Sequence, residues 1–369
     1  MNYKYPLFKV FMPRSVEKPL LETLFSGFIG QGSKVDEFEK NLGEYIGNAK
    51  AVTINSATSG IQLALRVAGV EAGDEVITTP MTCTASNMPI LANGSKIVWA
   101  DIDPQTGNID PEDIKKKITS KTKAILIVHW GGYPCDIESI SEIAKENGLK
   151  VIEDAAHAMG AEYKDAKIGN FSDFTVYSFQ AIKHMTTVDG GVIFCKNEED
   201  YKRLRLLRWY GIDRDSPKTH LRCEENIEEW GYKFHMNDIC ATIGIEQLKY
   251  LEQNIAIHRA NAKFYDIALA DNQSAKTIKW KNDRVSSFWF YNFHVKDKDR
   301  FIEYMESKGI MSSQVHVRND IHDCFKGSRS KTPLIGVDAF SKSMVSIPTG
   351  WWISENARQE IAEAVSRFK

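Results

Sequence analysis

Short apolar runs alternate with stretches of helical periodicity over the first two thirds of the chain. The runs AVTI (51–54), EVITT (75–79), KIVWADI (96–102), AILIVH (124–129), KVIED (150–154), FTVYSF (174–179) and GVIFC (191–195) are strand candidates. Several lack a polar face, as strands covered on both sides require. Between them, SGIQLALRVAG (59–69) carries apolar residues at helical spacing and ends on Gly69. DIESISEIAKENG (136–148) closes on a Lys/Asn/Gly stop signal. Strands alternating with helices predict an α/β fold with a mainly parallel, doubly wound sheet, here of seven strands.

The pattern changes after about residue 245. Residues 236–269 read as one long helix, followed by a strand at FWFYNFHV (288–295), a helix around 298–308 and a C-terminal helix at 354–368. This predicts a smaller α+β domain (251–369) packed on a large one (1–250).

Composition changes the picture mainly by exclusion. The 369 residues are 43% hydrophobic, enough for a full core, and the net charge is −2. So balanced a chain gives no general support for nucleic-acid or anionic-membrane binding. The KKK run at 115–117 reads as a solvated helix face. Cysteines 83, 135, 195, 223, 240 and 324 are scattered without a C-x-x-C, which predicts reduced residues of a cytoplasmic protein rather than a metal knuckle or redox pair. The start, MNYKYPLFKVFMP, lacks the apolar core of a signal peptide, and no apolar run is long enough to predict a membrane span.

In open α/β sheets ligands bind beyond the carboxyl ends of the strands. After AVTI comes NSATSG (55–60), where Thr58, Ser59 and backbone N–H groups at a helix start suit an anion. An ordinary N-cap by Thr58 or Ser59 is the competing reading. VIEDAAHAMGA (151–161) ends its strand at Glu153-Asp154, with His157 just beyond; a helix cap and a structural histidine compete with catalytic roles. SFQAIKH then sets Lys183 between two interior strands. Lysine is usually a surface residue, but a desolvated one has a depressed pKa and forms Schiff bases. An anion site, a strand-end carboxylate and an interior amine together fit pyridoxal 5′-phosphate, which needs a partner for its phosphate, its ring nitrogen and its aldehyde.

Through these motifs the chain resembles the fold-type I, pyridoxal-phosphate-dependent sugar aminotransferases of the DegT/StrS group. The similarity runs from SGFIGQGSKVDEFEKNLGEYIGNAKAVTINSATSG (26–60) through VIEDAAHAMGAEY and YSFQAIKHMTTVDGG to EEWGYKFHMNDICATIGIEQL (228–248). It implies that Lys183 binds the cofactor aldehyde and moves protons, and that Asp154 keeps the pyridine nitrogen protonated. His157 would lie near the ring hydroxyl, and Thr58, Ser59 and Ser178 would hold the phosphate. It also implies a homodimer with shared active sites, in which Lys233 or His235 of the partner subunit adds contacts.

Some positions depart from the family pattern. Cys83 stands where most relatives stack an aromatic ring on the cofactor, and Lys233 stands where asparagine is frequent. Gln180 replaces a common His or Tyr. Relatives with histidine at the Lys183 position catalyse a 3-dehydration, so Lys183 favours amino transfer. The paired threonines of KHMTT resemble members acting at C4 of nucleotide-linked 4-keto-6-deoxy sugars, with L-glutamate as donor. His184 is a candidate for positioning substrate, as are His316, Arg318 and His322 in SSQVHVRNDIHDCF (312–325). An arginine fork suits a diphosphate or a glutamate carboxylate, a surface ion pair being the alternative. Tyr133, Trp351 and Trp352 could face the sugar or belong to the core or an interface. Amination at C3 or of another ketone, and a non-catalytic regulatory role, are the competing functions; a regulator need not keep Lys183 with Asp154.

Overall fold

The computed structural model describes residues 3–215, 226–328, 330 and 332–369; Cys223 lies outside them. All seven expected strands form: β1 (Ala51–Ile54), β2 (Glu75–Thr78), β3 (Lys96–Trp99), β4 (Thr122–Val128), β5 (Lys150–Asp154), β6 (Phe174–Ser178) and β7 (Gly191–Cys195). They make one sheet in the order β1-β7-β6-β5-β4-β2-β3. β7 alone runs against its neighbours β1 and β6, and every other pairing is parallel. Every residue of β1, β6 and β7 is buried, which is why these runs carry no polar alternation.

The helix after β1, α1 (Ala57–Val67), is capped by Ser56, whose hydroxyl accepts from the N–H of Ser59. The cap is therefore neither of the two residues expected. α2 (Thr84–Ala92) follows β2, and α3 (Ile137–Asn147) ends on Gly148 in the left-handed conformation that its stop signal predicts. β1 is anchored from behind by a buried ion pair. Arg208 bonds the Glu39 carboxylate and the carbonyl of Thr53, and Glu39 accepts from the N–H and hydroxyl of Thr53.

The long helix expected over 236–269 is two helices, α4 (Asp238–Leu248) and α5 (Leu251–Ala268). The turn at Lys249-Tyr250 serves two cores. α4 stays on the large-domain core, whereas α5 starts there with Leu251 and Ile255 and ends among Ala262, Tyr265 and Leu269 in a separate cluster. That cluster also holds residues of a three-stranded antiparallel sheet (Ala275–Thr277, Tyr291–Val295, Met344–Ile347) and of the helix Glu355–Arg367. The strand expected from 288 begins only at Tyr291, because Ser287 and Trp289 donate instead to the carbonyls of Gly132 and Gly131 in the large domain. Trp289, Phe325, Phe340 and Met344 also pack into a cluster with residues of the seven-stranded sheet, so the C-terminal region grips that sheet's layer over a broad surface.

Candidate active site

β5, β6 and the turn into α1 bring their ends together around a cavity of about 330 Å³. Asp154 ends β5 and Ser178 ends β6, while Ser56 and Thr58 open α1; all four line the cavity. So do Lys183, His157, Cys83 and His316. Seven residues nominated from sequence thus converge on one space: Lys183, Asp154, His157, Thr58, Ser178, Cys83 and His316.

Asp154 is 5% exposed. One carboxylate oxygen accepts from the Ser86 hydroxyl at 2.6 Å and the other from the N–H of Ala156 at 3.0 Å. Among the described residues no ammonium or guanidinium pairs with it. A buried carboxylate held only by neutral donors can take a cation brought by a ligand.

Lys183 sits on a tight turn after β6. Its N–H donates to the carbonyl of Gln180, and the Gln180 side-chain oxygen accepts from the N–H of Ile182. Gln180 thus closes the turn that presents the amine, a physical role for a residue the sequence left unexplained. Burial pushes the Lys183 ammonium down from 10.5 to about 8, against the upward pull of Asp154 and Cys83. Its Nζ lies 3.6 Å from the centre of the Trp289 ring. An amine that loses its proton near neutrality is a competent nucleophile.

His157 stacks on Trp289 at 4.0 Å and on His316 at 5.5 Å. Burial, then the nearby Lys183, pushes both imidazoles down, His157 well below 6.5 and His316 to about 3, so both are neutral at neutral pH. His157 Nδ1 and His316 Nε2 are buried with no hydrogen-bond partner among the described residues. Unsatisfied buried ring nitrogens at a cavity call for a polar ligand.

Other nominated residues fall elsewhere. Ser59 is spent on the cap, its hydroxyl pairing with that of Ser56 at 2.8 Å. His184 is a correction: it turns away from the cavity, 5% exposed, with Nε2 on the carbonyl of Ser287 and its ring 4.9 Å from that of His258. Arg318 is another: its fork is bidentate to Asp320 at 2.7 Å and it also pairs with Asp338, so the ion-pair alternative describes it. His322 lies between the two short helical turns that follow Arg318 and does not line the cavity. Lys233 and His235 run beside Trp209 and Ile54 at the end of β1, outside their own chain's cavity. Tyr133 is a core residue whose hydroxyl accepts from the N–H of Lys281, and the indoles of Trp352 and Trp351 donate to Pro6 and Lys9 of the N-terminal segment.

The lining residues missed from sequence as site groups include Ser56, Ser86, Asp189 and Trp289. A serine before an apolar helical run is a cap signal, so Ser56 was findable. Trp289 and Ser86 reach the site only through tertiary packing.

A cavity amine with a lowered pKa, a strand-end carboxylate, a capped helix start and two unsatisfied imidazoles fit pyridoxal 5′-phosphate, and the fold with this site defines a pyridoxal-phosphate-dependent aminotransferase. The chain belongs to the DegT/DnrJ/EryC1/StrS aminotransferase family, whose sequence profile matches residues 14–366. The sugar aminotransferase CalS13 of Micromonospora echinospora superposes with a TM-score of 0.94 at 38% identity, over 98% of this chain and 99% of that one. A UDP-4-amino-4,6-dideoxy-N-acetyl-beta-L-altrosamine transaminase of Campylobacter jejuni is 33% identical over 344 residues, 90% of this chain and 88% of that one. A sugar aminotransferase of Streptococcus pneumoniae solved in its PLP form, described as putative, gives a TM-score of 0.90 at 26% identity, over 99% and 98% of the two chains. Among the described residues no helix is long and apolar enough to cross a membrane.

Proposed function

We infer that this sugar aminotransferase moves the amino group of L-glutamate to C4 of a nucleotide-linked 4-keto-6-deoxy sugar, giving a 4-amino sugar nucleotide and 2-oxoglutarate. The observation that carries amino transfer is Lys183 and Asp154 in one cavity. Bound pyridoxal phosphate supplies the electron sink that lets a proton leave the carbon bearing the nitrogen. Lys183, with its pKa near 8, would take that proton and return it to the carbon on the other side of the nitrogen. Asp154, oriented by Ser86 and Ala156, holds the ring nitrogen's proton. Ser56, Thr58, Ser178 and the N–H groups opening α1 hold the phosphate. His157 gives its free nitrogen to the ring hydroxyl, and Cys83 packs on the ring face.

The position of amination draws its support from the Campylobacter relative, whose name places the amino group at C4. The paired threonines contribute nothing by contact. Thr186 and Thr187 are buried, and their hydroxyls donate to the carbonyls of Phe179 and Asp189. Their role is to turn the chain back into β7. A regulatory protein without catalysis has no need of an amine and a carboxylate kept desolvated in one cavity.

The reading includes a homodimer. Phe25 and Phe28, close together in the chain, are 80% and 63% exposed, and Trp230 is 65% exposed; large apolar side chains left this open suit a protein–protein contact. Lys233 or His235 of the partner subunit would then complete the phosphate or substrate contacts.

The deciding experiment mixes the cofactor-loaded protein with glutamate and a panel of 4-keto and 3-keto sugar nucleotides. Glutamate should bleach the yellow colour, and NMR should place the new nitrogen on C4. Nitrogen on C3 would overturn the regiochemistry alone; protein that holds the cofactor yet never bleaches would overturn amino transfer from glutamate.

A further inference from the structure

We propose that Trp289 is the positioning residue for the Lys183 amine, holding the charged group on its ring face whenever that amine is not bonded to the cofactor. This rests on Lys183 being the cofactor-binding amine. Three contacts carry it. Lys183 Nζ stands 3.6 Å from the centre of the Trp289 ring, cation–π distance. The Trp289 indole N–H donates to the carbonyl of Ile182 at 2.9 Å, so the same side chain grips the backbone one residue before the lysine. The ring itself cannot swing. It is 2% exposed, stacks on His157 at 4.0 Å and on Phe8 at 4.5 Å, and its own N–H on the backbone is tied to Gly131.

A lysine that shuttles protons needs a fixed place for its ammonium between transfers, and this cavity gives it no paired carboxylate. The titratable groups near Lys183 are Asp154, Cys83, His157 and His316 around the cavity, with His184 behind it. Asp154 already accepts from Ser86 and Ala156, and the histidines are neutral near pH 7. The aromatic face therefore supplies the stabilisation that a counter-ion would otherwise give, without quenching the amine as a salt bridge would.

The test reads the amine itself. Full-length protein freed of cofactor is labelled competitively with acetic anhydride across pH 6 to 11, and Lys183 modification is followed by peptide mass spectrometry. Removing the ring face in Trp289→Met should move the Lys183 midpoint down by about one pH unit, tenfold in the proton equilibrium. Trp289→Phe keeps a weaker face and loses the indole donor, and should move it down by less. In the loaded enzyme, kcat should fall at least fivefold in Trp289→Met with KM for the sugar nucleotide within twofold, the signature of a misplaced proton carrier. A Met variant whose labelling curve superimposes on wild type would overturn the proposal. If that variant does not fold, Trp289→Phe decides: an unchanged or upward midpoint overturns it. No sugar enters the labelling experiment, so its failure is separate from any failure of the substrate assignment.

Discussion

The hydroxyl of Ser86 donates to the carboxylate of Asp154 at 2.6 Å, across 68 residues of sequence. Ser86 is in turn fixed by the hydroxyl of Thr82 at 2.8 Å, and is itself 1% exposed. This short relay aims the carboxylate into the cavity. Ser86→Ala removes a hydrogen bond to a charged acceptor, worth about 1.5–3 kcal/mol. We expect roughly a tenfold loss of kcat and reduced cofactor content, read by steady-state assay and absorbance. Activity within twofold of wild type would show that the N–H of Ala156 positions Asp154 unaided.

Asp154→Asn keeps the shape but can no longer hold a proton on the ring nitrogen. Turnover should drop about a hundredfold or more, whereas cofactor content, measured after gel filtration, should drop far less. Equal losses of both would mean that Asp154 serves retention rather than the electron sink.

Lys183 also makes a stability prediction with a definite sign. Its folded pKa of about 8 lies below its ordinary 10.5, so the native state resists its charge. Between those values the unfolded chain holds more protons, and stability rises with pH across that window. Below pH 8 the penalty is present in full; after allowance for the amine's partial solvent access it is on the order of 2 kcal/mol. Cofactor-free Lys183→Met should therefore be more stable than wild type at pH 7 in urea, with the gap closing towards pH 10. A gap independent of pH would place the effect in packing. The variant should also be inactive, since it has no amine to carry the proton.

What the sequence reveals follows from where each interaction lives. β1, β6 and β7 are buried on both faces, so burial writes itself into consecutive residues as an unbroken apolar run. Asp154, Ser178 and Lys183 are legible because strand ends and their loops are local features, and the family motifs sharpen them. The split between α4 and α5 was not legible: helical periodicity continues through Lys249-Tyr250, and only two separate cores demand a turn there. Trp289 sits in an aromatic run that reads as a strand, and its indole N–H reaches the lysine turn over 107 residues. His184 and Arg318 misled for the opposite reason. Each carries a side chain suited to a substrate, but each has its partners elsewhere, in Ser287 and in Asp320 with Asp338.

The Glu39–Arg208 pair is a second test of stability, remote from the chemistry. Both side chains are buried, 6% and 1% exposed, and both hold Thr53 in β1, three residues before the Ser56 cap. Glu39→Ala strands the guanidinium without its anion, at about 3–5 kcal/mol. Urea unfolding should show that loss, and the Glu39→Ala, Arg208→Met double variant should recover part of it. A double variant no more stable than Glu39→Ala would mean that the bonds to Thr53, rather than the uncompensated charge, dominate.

His157 separates stacking from hydrogen bonding. Its ring packs against both Trp289 and His316, and burial keeps it neutral, so His157→Phe preserves an uncharged aromatic body against the same neighbours. What disappears with the imidazole is Nδ1, buried and without a partner among the described residues. Folding stability should stay within about 1 kcal/mol of wild type, because no intramolecular hydrogen bond to that nitrogen is lost. Affinity for pyridoxal phosphate should weaken by roughly tenfold, the worth of one hydrogen bond in a desolvated site. Denaturation of the cofactor-free protein and fluorescence titration with the cofactor measure the two quantities independently. A variant that binds the cofactor as wild type does would leave the Nδ1 atom without a ligand and transfer the role of His157 to packing against Trp289.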